Sequence, residues 1–82
     1  MVVRMRPGAE RDLCGFPASV QGRIMRKLEF YARATEPLRF ARSLHDARLG
    51  HYRFRIGDYR ALFEVVDGTI FILAIKHRKD AY

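Results

Sequence analysis

Hydrophobic residues in the first half of the chain recur at helical spacing. In the longest such stretch they are separated by steps of four, four and three, at Val20, Ile24, Leu28 and Tyr31. Such a face is typical of an amphipathic helix, and basic residues occupy much of the rest of this stretch. Pro17 suits the start of a helix, and Glu36-Pro37 ends it because the residue before a proline avoids the helical conformation. We therefore expect a helix from Pro17 to about Thr35.

Shorter elements are predicted on both sides of this helix. A short strand is indicated before Pro7-Gly8 by Val2, Val3 and Met5. A short helix then follows, with one apolar face made of Ala9, Leu13 and Phe16. The segment from Leu38 to Gly50 has a weaker pattern, in which we expect a short helix around Phe40 to Leu44 and then an irregular, basic connection.

Three β-rich runs make up the rest of the chain: His51 to Ile56, Tyr59 to Val66 and Thr69 to Lys76. They are separated by Gly57-Asp58 and Asp67-Gly68, and both dipeptides favour two-residue hairpin turns. Asp-Gly in particular suits a type I′ turn. The pattern predicts a three-stranded antiparallel meander.

Two-residue turns also predict which residues lie opposite each other. The expected pairs are Ile56 with Tyr59, Arg55 with Arg60, Phe54 with Ala61, Arg53 with Leu62, Tyr52 with Phe63, Val65 with Ile70, Phe63 with Ile72, and Ala61 with Ala74. Because side chains alternate along a strand, one face is then consistently apolar and should pack against the helices. That face contains Tyr52, Phe54, Ile56, Tyr59, Ala61, Phe63, Val65, Ile70, Ile72 and Ala74.

The opposite face is expected to be part basic and part apolar, with Arg53, Arg55, Arg60, Leu62, Glu64, Phe71, Leu73 and Ile75. Arg55 and Arg60 would face each other, and like charges in that arrangement destabilise a sheet. A bound phosphate would relieve the repulsion, because a guanidinium matches phosphate oxygens in a bidentate manner. The alternative is that each arginine is merely solvated, but a trio of one sign favours an anion site.

The apolar part of this face would be larger than a small monomer normally leaves exposed. It consists of Leu62, Phe71, Leu73 and Ile75. We expect it to be covered by the connection after the N-terminal strand, by a second copy of the chain or by a separate partner chain.

Charge and composition narrow the class of partner. The chain has 82 residues, with 16 Lys and Arg against 9 Asp and Glu, a net charge of +7 and a pI of about 10.3. The length predicts one domain over residues 1–82, and the charge predicts a polyanionic partner such as nucleic acid. A membrane surface or an acidic protein would satisfy the same charge.

Cysteine and histidine positions limit the remaining chemistry. Cys14 is the single cysteine, so an internal disulfide is excluded. Together with His45, His51 and His77 it shows no metal-ligand spacing, and we therefore assign no metal or other cofactor. The chain shows neither a signal peptide nor a membrane-spanning stretch, which predicts a cytoplasmic protein.

The residues after the last strand also carry possible chemistry. His77 and Tyr82 have the imidazole and phenol groups that transfer protons in phosphodiester cleavage, and an aromatic ring can stack on an unpaired base. The alternative is that His77 forms a hydrogen bond in a turn and that Tyr82 frays into solvent.

The run from Tyr52 to Arg60, the apolar strands around Asp67-Gly68, and the end from His77-Arg78 to Tyr82 resemble the RelE/ParE toxin superfamily. The resemblance covers nearly the whole chain and is closer to the RelE branch than to the ParE branch. It implies an α+β fold, with an N-terminal strand and a helical hairpin packed on one face of a small antiparallel sheet.

The resemblance also implies a function. RelE toxins are ribosome-dependent mRNA endonucleases that need no metal, and a cognate antitoxin protein neutralises them. Their chemistry is attack of the ribose 2′-hydroxyl on the adjacent phosphate of mRNA in the ribosomal A site. The catalytic residues that it implies in this chain are Arg53, Arg55, Arg60, Arg78 and Tyr82.

One departure from the RelE pattern concerns the general base. Arg53 and Arg55 stand where the best-known members have lysines, and an arginine is a poor base. Tyr82, His77 and the substrate itself are the alternatives. Two other functions also remain open: a ParE-like inhibitor that binds DNA gyrase without RNA chemistry, and a degenerate toxin that only binds its antitoxin and DNA.

Overall fold

The computed structural model describes residues 1–45, 48 and 50–80. Within those residues the chain forms two α-helices, a 3₁₀ turn and five strands. In chain order they are β1 (Val2–Met5), α1 (Pro7–Cys14), α2 (Ala18–Arg33), the 3₁₀ turn (Pro37–Phe40), β2 (Ala41–Ser43), β3 (Tyr52–Ile56), β4 (Tyr59–Val66) and β5 (Thr69–His77). Neither helix is long and apolar enough to cross a membrane.

The strands form one mixed sheet in the order β1-β5-β4-β3-β2. The pairs from β2 to β5 are antiparallel, as expected for a meander, whereas β1 runs parallel to β5. Helices packed against one face of this sheet confirm the predicted α+β fold. The parallel edge makes the sheet mixed instead of wholly antiparallel.

Both hairpin turns form at the predicted dipeptides. Asp67 and Gly68 have φ values of 50° and 74°, which is the pair of positive angles that a type I′ turn requires. Gly57 has a φ of 58°, and glycine is suited to this conformation because it lacks a Cβ atom. The β3–β4 register matches all five predicted pairs, including Arg55 opposite Arg60.

The predicted register is wrong in the second half of β5. Phe63 pairs with Ile72, but Leu62 pairs with Ala74, so Leu73 is an extra residue in a β-bulge. One extra residue reverses the direction of every later side chain. Ile75, expected on the face away from the helices, is therefore only 1% exposed and belongs to the core. Ala74 is not part of the core face.

The core lies between α2 and the sheet. The predicted apolar face of α2 is buried, at Val20, Ile24, Leu28 and Tyr31. Tyr31 stacks on Phe54 with ring centroids 4.2 Å apart, and Phe54 stacks on Phe63 at 4.3 Å. Both phenylalanines are fully buried. This packing fixes β3 and β4, so the side chains that alternate with the core residues face away from the helices.

The expectation of a helix around Phe40 to Leu44 is wrong. Pro37–Phe40 form a 3₁₀ turn, and Ala41–Ser43 form the edge strand β2. Ala41 pairs with Phe54 and Ser43 with Tyr52. A three-residue strand is too short to show alternation, so its conformation depends on pairing with β3.

The apolar part of the outer sheet face was expected to be covered, and the chain itself supplies part of that cover. Leu62 is 4% exposed, and the Arg6 guanidinium lies 4.3 Å from the centroid of the Phe71 ring. Gly50 packs so closely that a Cβ atom there would be 3.3 Å from Leu73 Cδ1. The chain itself therefore covers much of this face, in part through the connection after β1.

Candidate nucleic-acid interface

Arginines on three neighbouring strands lie on the sheet face that the helices leave uncovered. Arg53 and Arg55 alternate along β3 with the buried residues Phe54 and Ile56. Arg60 lies opposite Arg55 on β4, and Arg42 lies opposite Arg53 on β2. We call these four residues, Arg42, Arg53, Arg55 and Arg60, the arginine face. Three neighbouring strands contribute to it, so its width is about two strand spacings, or roughly 10 Å.

An open groove of about 480 Å³ runs from this face to the sheet edge. Its lining residues are Arg39, Phe40, Ala41, Arg42, Arg53 and Arg55. Sequence reasoning missed the first four, because the segment that contains them was expected to be a helix and an irregular connection. Only the pairing of β2 with β3 brings them beside Arg53.

Arg60 and Arg78 are both directed to the turn between β3 and β4. Arg60 Nη1 donates to the carbonyl oxygens of Gly57 and Tyr59, each at 3.0 Å. The backbone N–H of Arg78 donates to the Asp58 carbonyl at 2.7 Å, and Arg78 Nε lies 3.7 Å from Asp58 Oδ1. Arg60 from the sheet and Arg78 from the chain end thus both contact the β3–β4 turn, at one end of the arginine face.

A further basic residue, Lys76, lies opposite Arg60 on β5. Its Nζ is 3.4 Å from Asp12 Oδ1 on α1. The other oxygen of Asp12 accepts the Ile75 backbone N–H at 2.9 Å. One carboxylate therefore attaches α1 to the end of β5 and forms an ion pair with Lys76.

His77 does not share the face with the arginines. It pairs with Tyr59, whose ring packs on the core side of the sheet, and the two ring centroids are 5.2 Å apart. His77 Nδ1 accepts the Lys79 N–H at 3.2 Å, so the proton of the neutral ring is on Nε2. Of the two roles considered for His77 in the sequence, the structure shows the hydrogen bond within a turn. Tyr82 lies outside the described residues.

Tyr31 connects the core to the strand that carries Arg53 and Arg55. Its hydroxyl donates to the Arg55 carbonyl at 3.5 Å. Burial raises the pKa of the Tyr31 phenol, because the charged form would lose its hydration. A neutral hydroxyl thus supports the backbone beneath the arginines.

Comparison of the sequence with known proteins shows the family to which the chain belongs. Residues 3–82 match the family of the ParE toxin of type II toxin-antitoxin system, parDE. Toxin RelG of Mycobacterium tuberculosis is 33% identical over 82 residues, which cover 98% of this chain and 93% of RelG. The chain belongs to the RelE/ParE superfamily. It is therefore a toxin of the type II toxin–antitoxin class, as the sequence resemblance predicted.

Solved structures show that this RelE/ParE toxin shares its fold with relatives. A chain of the toxin-antitoxin complex RelBE2 from Mycobacterium tuberculosis is 32% identical, with a TM-score of 0.76 over 94% of this chain and 96% of that chain. A chain of the RelB-RelE complex from Methanococcus jannaschii is 23% identical, with a TM-score of 0.70 over 92% and 89% of the two chains. The second likeness concerns the fold alone.

Proposed function

We propose that this toxin is a ribosome-dependent mRNA endonuclease of the cytoplasm, and that its arginine face binds the RNA backbone. The observation that carries the proposal is the pairing of Arg55 with Arg60 and of Arg42 with Arg53 on neighbouring strands. Like charges directly opposite each other are unfavourable in a sheet unless an anion compensates for them. Guanidinium groups bind phosphate through paired N–H groups, so a polynucleotide backbone is a suitable anion.

The proposed reaction is an internal transesterification of RNA. The 2′-hydroxyl loses its proton and its oxygen forms a bond to the adjacent phosphorus, while the bond between phosphorus and the 5′-oxygen breaks. The 5′-oxygen takes up a proton, so the products are a 2′,3′-cyclic phosphate and a 5′-hydroxyl. The five-coordinate phosphorus of the transition state carries additional negative charge, which preorganised cations stabilise. Arg60 and Arg78 are assigned this role, and Arg53 and Arg55 position the backbone.

The proton acceptor is not one of these arginines, because a guanidinium stays protonated at any physiological pH. His77 lies on the other side of the sheet, next to Tyr59. Tyr82, or a phosphate oxygen of the substrate, therefore accepts the proton of the 2′-hydroxyl. Arg53, Arg55, Arg60 and Arg78 act by electrostatics.

We also propose a cognate antitoxin as the partner that blocks this face. Two chains of similar fold were solved in toxin-antitoxin complexes. A net charge of +7 favours a partner with acidic side chains. An antitoxin that covers the arginine face would exclude RNA from it.

A ParE-like function is the second candidate, and the match of residues 3–82 to the ParE family favours it. In that case the protein would inhibit DNA gyrase by binding and would cleave no RNA. The two candidates differ in their target, so one pair of assays separates them.

The test uses purified toxin in a reconstituted translation reaction with a defined mRNA, whose new 5′ ends are mapped by primer extension. We expect ribosome-dependent cuts that Arg60→Ala abolishes, because the cation beside the scissile phosphate is lost. Arg33→Ala is the matched control, since it removes an 82% exposed arginine from α2 and should leave cleavage intact. Arg60→Ala also removes two hydrogen bonds to the turn, so thermal unfolding must show that the variant is folded.

Intact mRNA with the wild-type toxin would contradict the endonuclease function. Inhibition of supercoiling in a gyrase assay would then support the ParE-like candidate. Full cleavage by a folded Arg60→Ala variant would contradict the role assigned to Arg60.

A further inference from the structure

The groove at the sheet edge has an aromatic wall that the proposed reaction does not use. Phe40 is 47% exposed, although its ring contacts two others. The ring centroids of Tyr31 and Phe30 lie 5.2 Å and 5.6 Å from that of Phe40. These contacts support one part of the ring and leave the rest accessible, so Phe40 presents a fixed apolar surface next to the arginines.

Arginines flank this ring on both sides in the sequence. Arg39 is 79% exposed, and its Nη1 lies 3.5 Å from Glu36 Oε2. Arg42 lies opposite Arg53 and is the member of the arginine face that is on the edge strand β2. An accessible aromatic ring and guanidinium groups that line one groove are the combination that proteins use for single-stranded nucleic acid, in which bases stack and phosphates pair with cations.

We propose that Arg39, Phe40 and Arg42 form a nucleotide subsite at the sheet edge, where an unpaired RNA base stacks on Phe40 and the adjoining phosphates bind the two arginines. The subsite rests on the proposed RNA-cleaving function and extends it. Arg42 is one strand away from Arg53 and two strands away from Arg60. RNA held at Arg60 would therefore reach Phe40 by crossing β3, over roughly 10 Å.

The lining of the groove favours RNA over an apolar protein segment. Among the residues that the structure describes, those lining the groove besides Phe40 and Ala41 are all arginines. An apolar anchor of a protein would find little apolar surface there, whereas a base offers a flat face for Phe40 and its backbone offers phosphates. The neighbouring ring, Phe30, instead lines a cleft on α2 together with Arg26, Glu29, Arg33 and Ala34.

This difference supplies matched controls. Phe30 is 53% exposed and touches Phe40, but it does not line the arginine groove. Arg33 resembles Arg39, because each is strongly exposed and lies within 4 Å of a glutamate on its own segment. A role in stacking or phosphate binding should appear only in the Phe40 and Arg39 variants.

The experiment measures the Kd of fluorescein-labelled octauridylate for the purified toxin by fluorescence anisotropy. We expect Phe40→Leu to raise the Kd about 5- to 150-fold, which corresponds to the usual loss of one base–aromatic stack. Phe40→Tyr should retain the affinity, and Phe30→Leu should leave it unchanged. Arg39→Gln should reduce the slope of log affinity against log salt by about 0.7, as expected for one lost phosphate contact, whereas Arg33→Gln should not.

Three results would overturn the subsite: no binding of octauridylate by the wild type, an unchanged Kd for Phe40→Leu, or equal losses for Phe40→Leu and Phe30→Leu. The last result would instead indicate that disturbing the contact between the two rings, and not the loss of a base stack on Phe40, lowers the affinity. The translation assay distinguishes this failure from failure of the proposed function. Cleavage without any effect of Phe40→Leu on binding rejects the subsite alone, whereas Phe40-dependent binding without cleavage rejects the endonuclease alone.

Discussion

Asp12 attaches α1 to the end of β5, and we expect Asp12→Ala to destabilise the fold even though helix rules alone predict the opposite. Asp12 lies in the last turn of α1. A carboxylate there is unfavourable to the helix dipole, and alanine has the higher helix propensity. These two effects would stabilise the variant by roughly 0.5–1 kcal/mol.

The tertiary contacts outweigh this gain. β1 pairs with β5 only as far as Ile72, and at Ile75 the Asp12 carboxylate takes the place of a neighbouring strand. Loss of this charge-assisted hydrogen bond costs about 1.5–3 kcal/mol. The ion pair with Lys76, whose side chain is 43% exposed, contributes at most about 1 kcal/mol. The net loss is therefore about 2 kcal/mol, because the contact terms exceed the helix terms.

Urea unfolding followed by circular dichroism measures this difference. For a domain of this size, about 2 kcal/mol also corresponds to a fall in Tm of roughly 8–16 °C. Asp12→Asn keeps an oxygen that can accept the Ile75 N–H and should lose about half as much. Glu10→Ala removes an exposed carboxylate from the same helix and should change stability by no more than about 0.5 kcal/mol. An Asp12→Ala variant as stable as the wild type would refute the reasoning.

Two further predictions concern the arginine face and the residue beneath it. Arg55→Thr removes the charge opposite Arg60 and introduces a residue that favours strands, so we expect it to raise the free energy of unfolding by about 0.5 kcal/mol at low salt. The gain should shrink in high salt, which screens exposed charges; lower stability of Arg55→Thr in low-salt urea titrations would contradict this. Tyr31→Phe should flatten the loss of stability at alkaline pH. Because the pKa of Tyr31 is raised in the folded state, its neutral phenol contributes stability that is fully present below the ordinary pKa of about 10 and is lost as pH rises through the higher folded value. Unfolding titrations of both proteins from neutral to strongly alkaline pH check this, and identical pH profiles would argue against it.

Local rules were sufficient for the elements whose conformation depends on neighbours in sequence. The step of four, four and three along α2 and the two turn dipeptides specify which residues share a face, because helices and strands have fixed periods. The pairing of Arg55 with Arg60 follows from turn length alone. The same pattern, with the resemblance to RelE/ParE toxins, was enough to predict the family and the position of Arg53, Arg55 and Arg60 on one face.

The bulge at Leu73 shows where local rules fail. In β5 apolar residues such as Phe71, Leu73 and Ile75 are compatible with either face of the sheet. The sequence alone therefore does not show that Leu73 is an extra residue in the strand. The bulge turns Ile75 inward, next to Ala61 in the core. Burial of a complete isoleucine side chain stabilises by about 1.5–3 kcal/mol, and this gain depends on the helices that cover the face to which Ile75 turns.

The groove at the sheet edge was decided by tertiary structure alone. Arg39, Phe40 and Arg42 belong to a segment with little periodicity, and they come next to Arg53 only because the three residues of β2 add to the edge of β3. By itself, the sequence determined the helix, the hairpins and the alternation of the arginines, since each depends on spacing along the chain. The parallel edge at β1, the bulge and the groove depend on which distant segments pair, and the free energy of that pairing comes from burial that no local pattern contains.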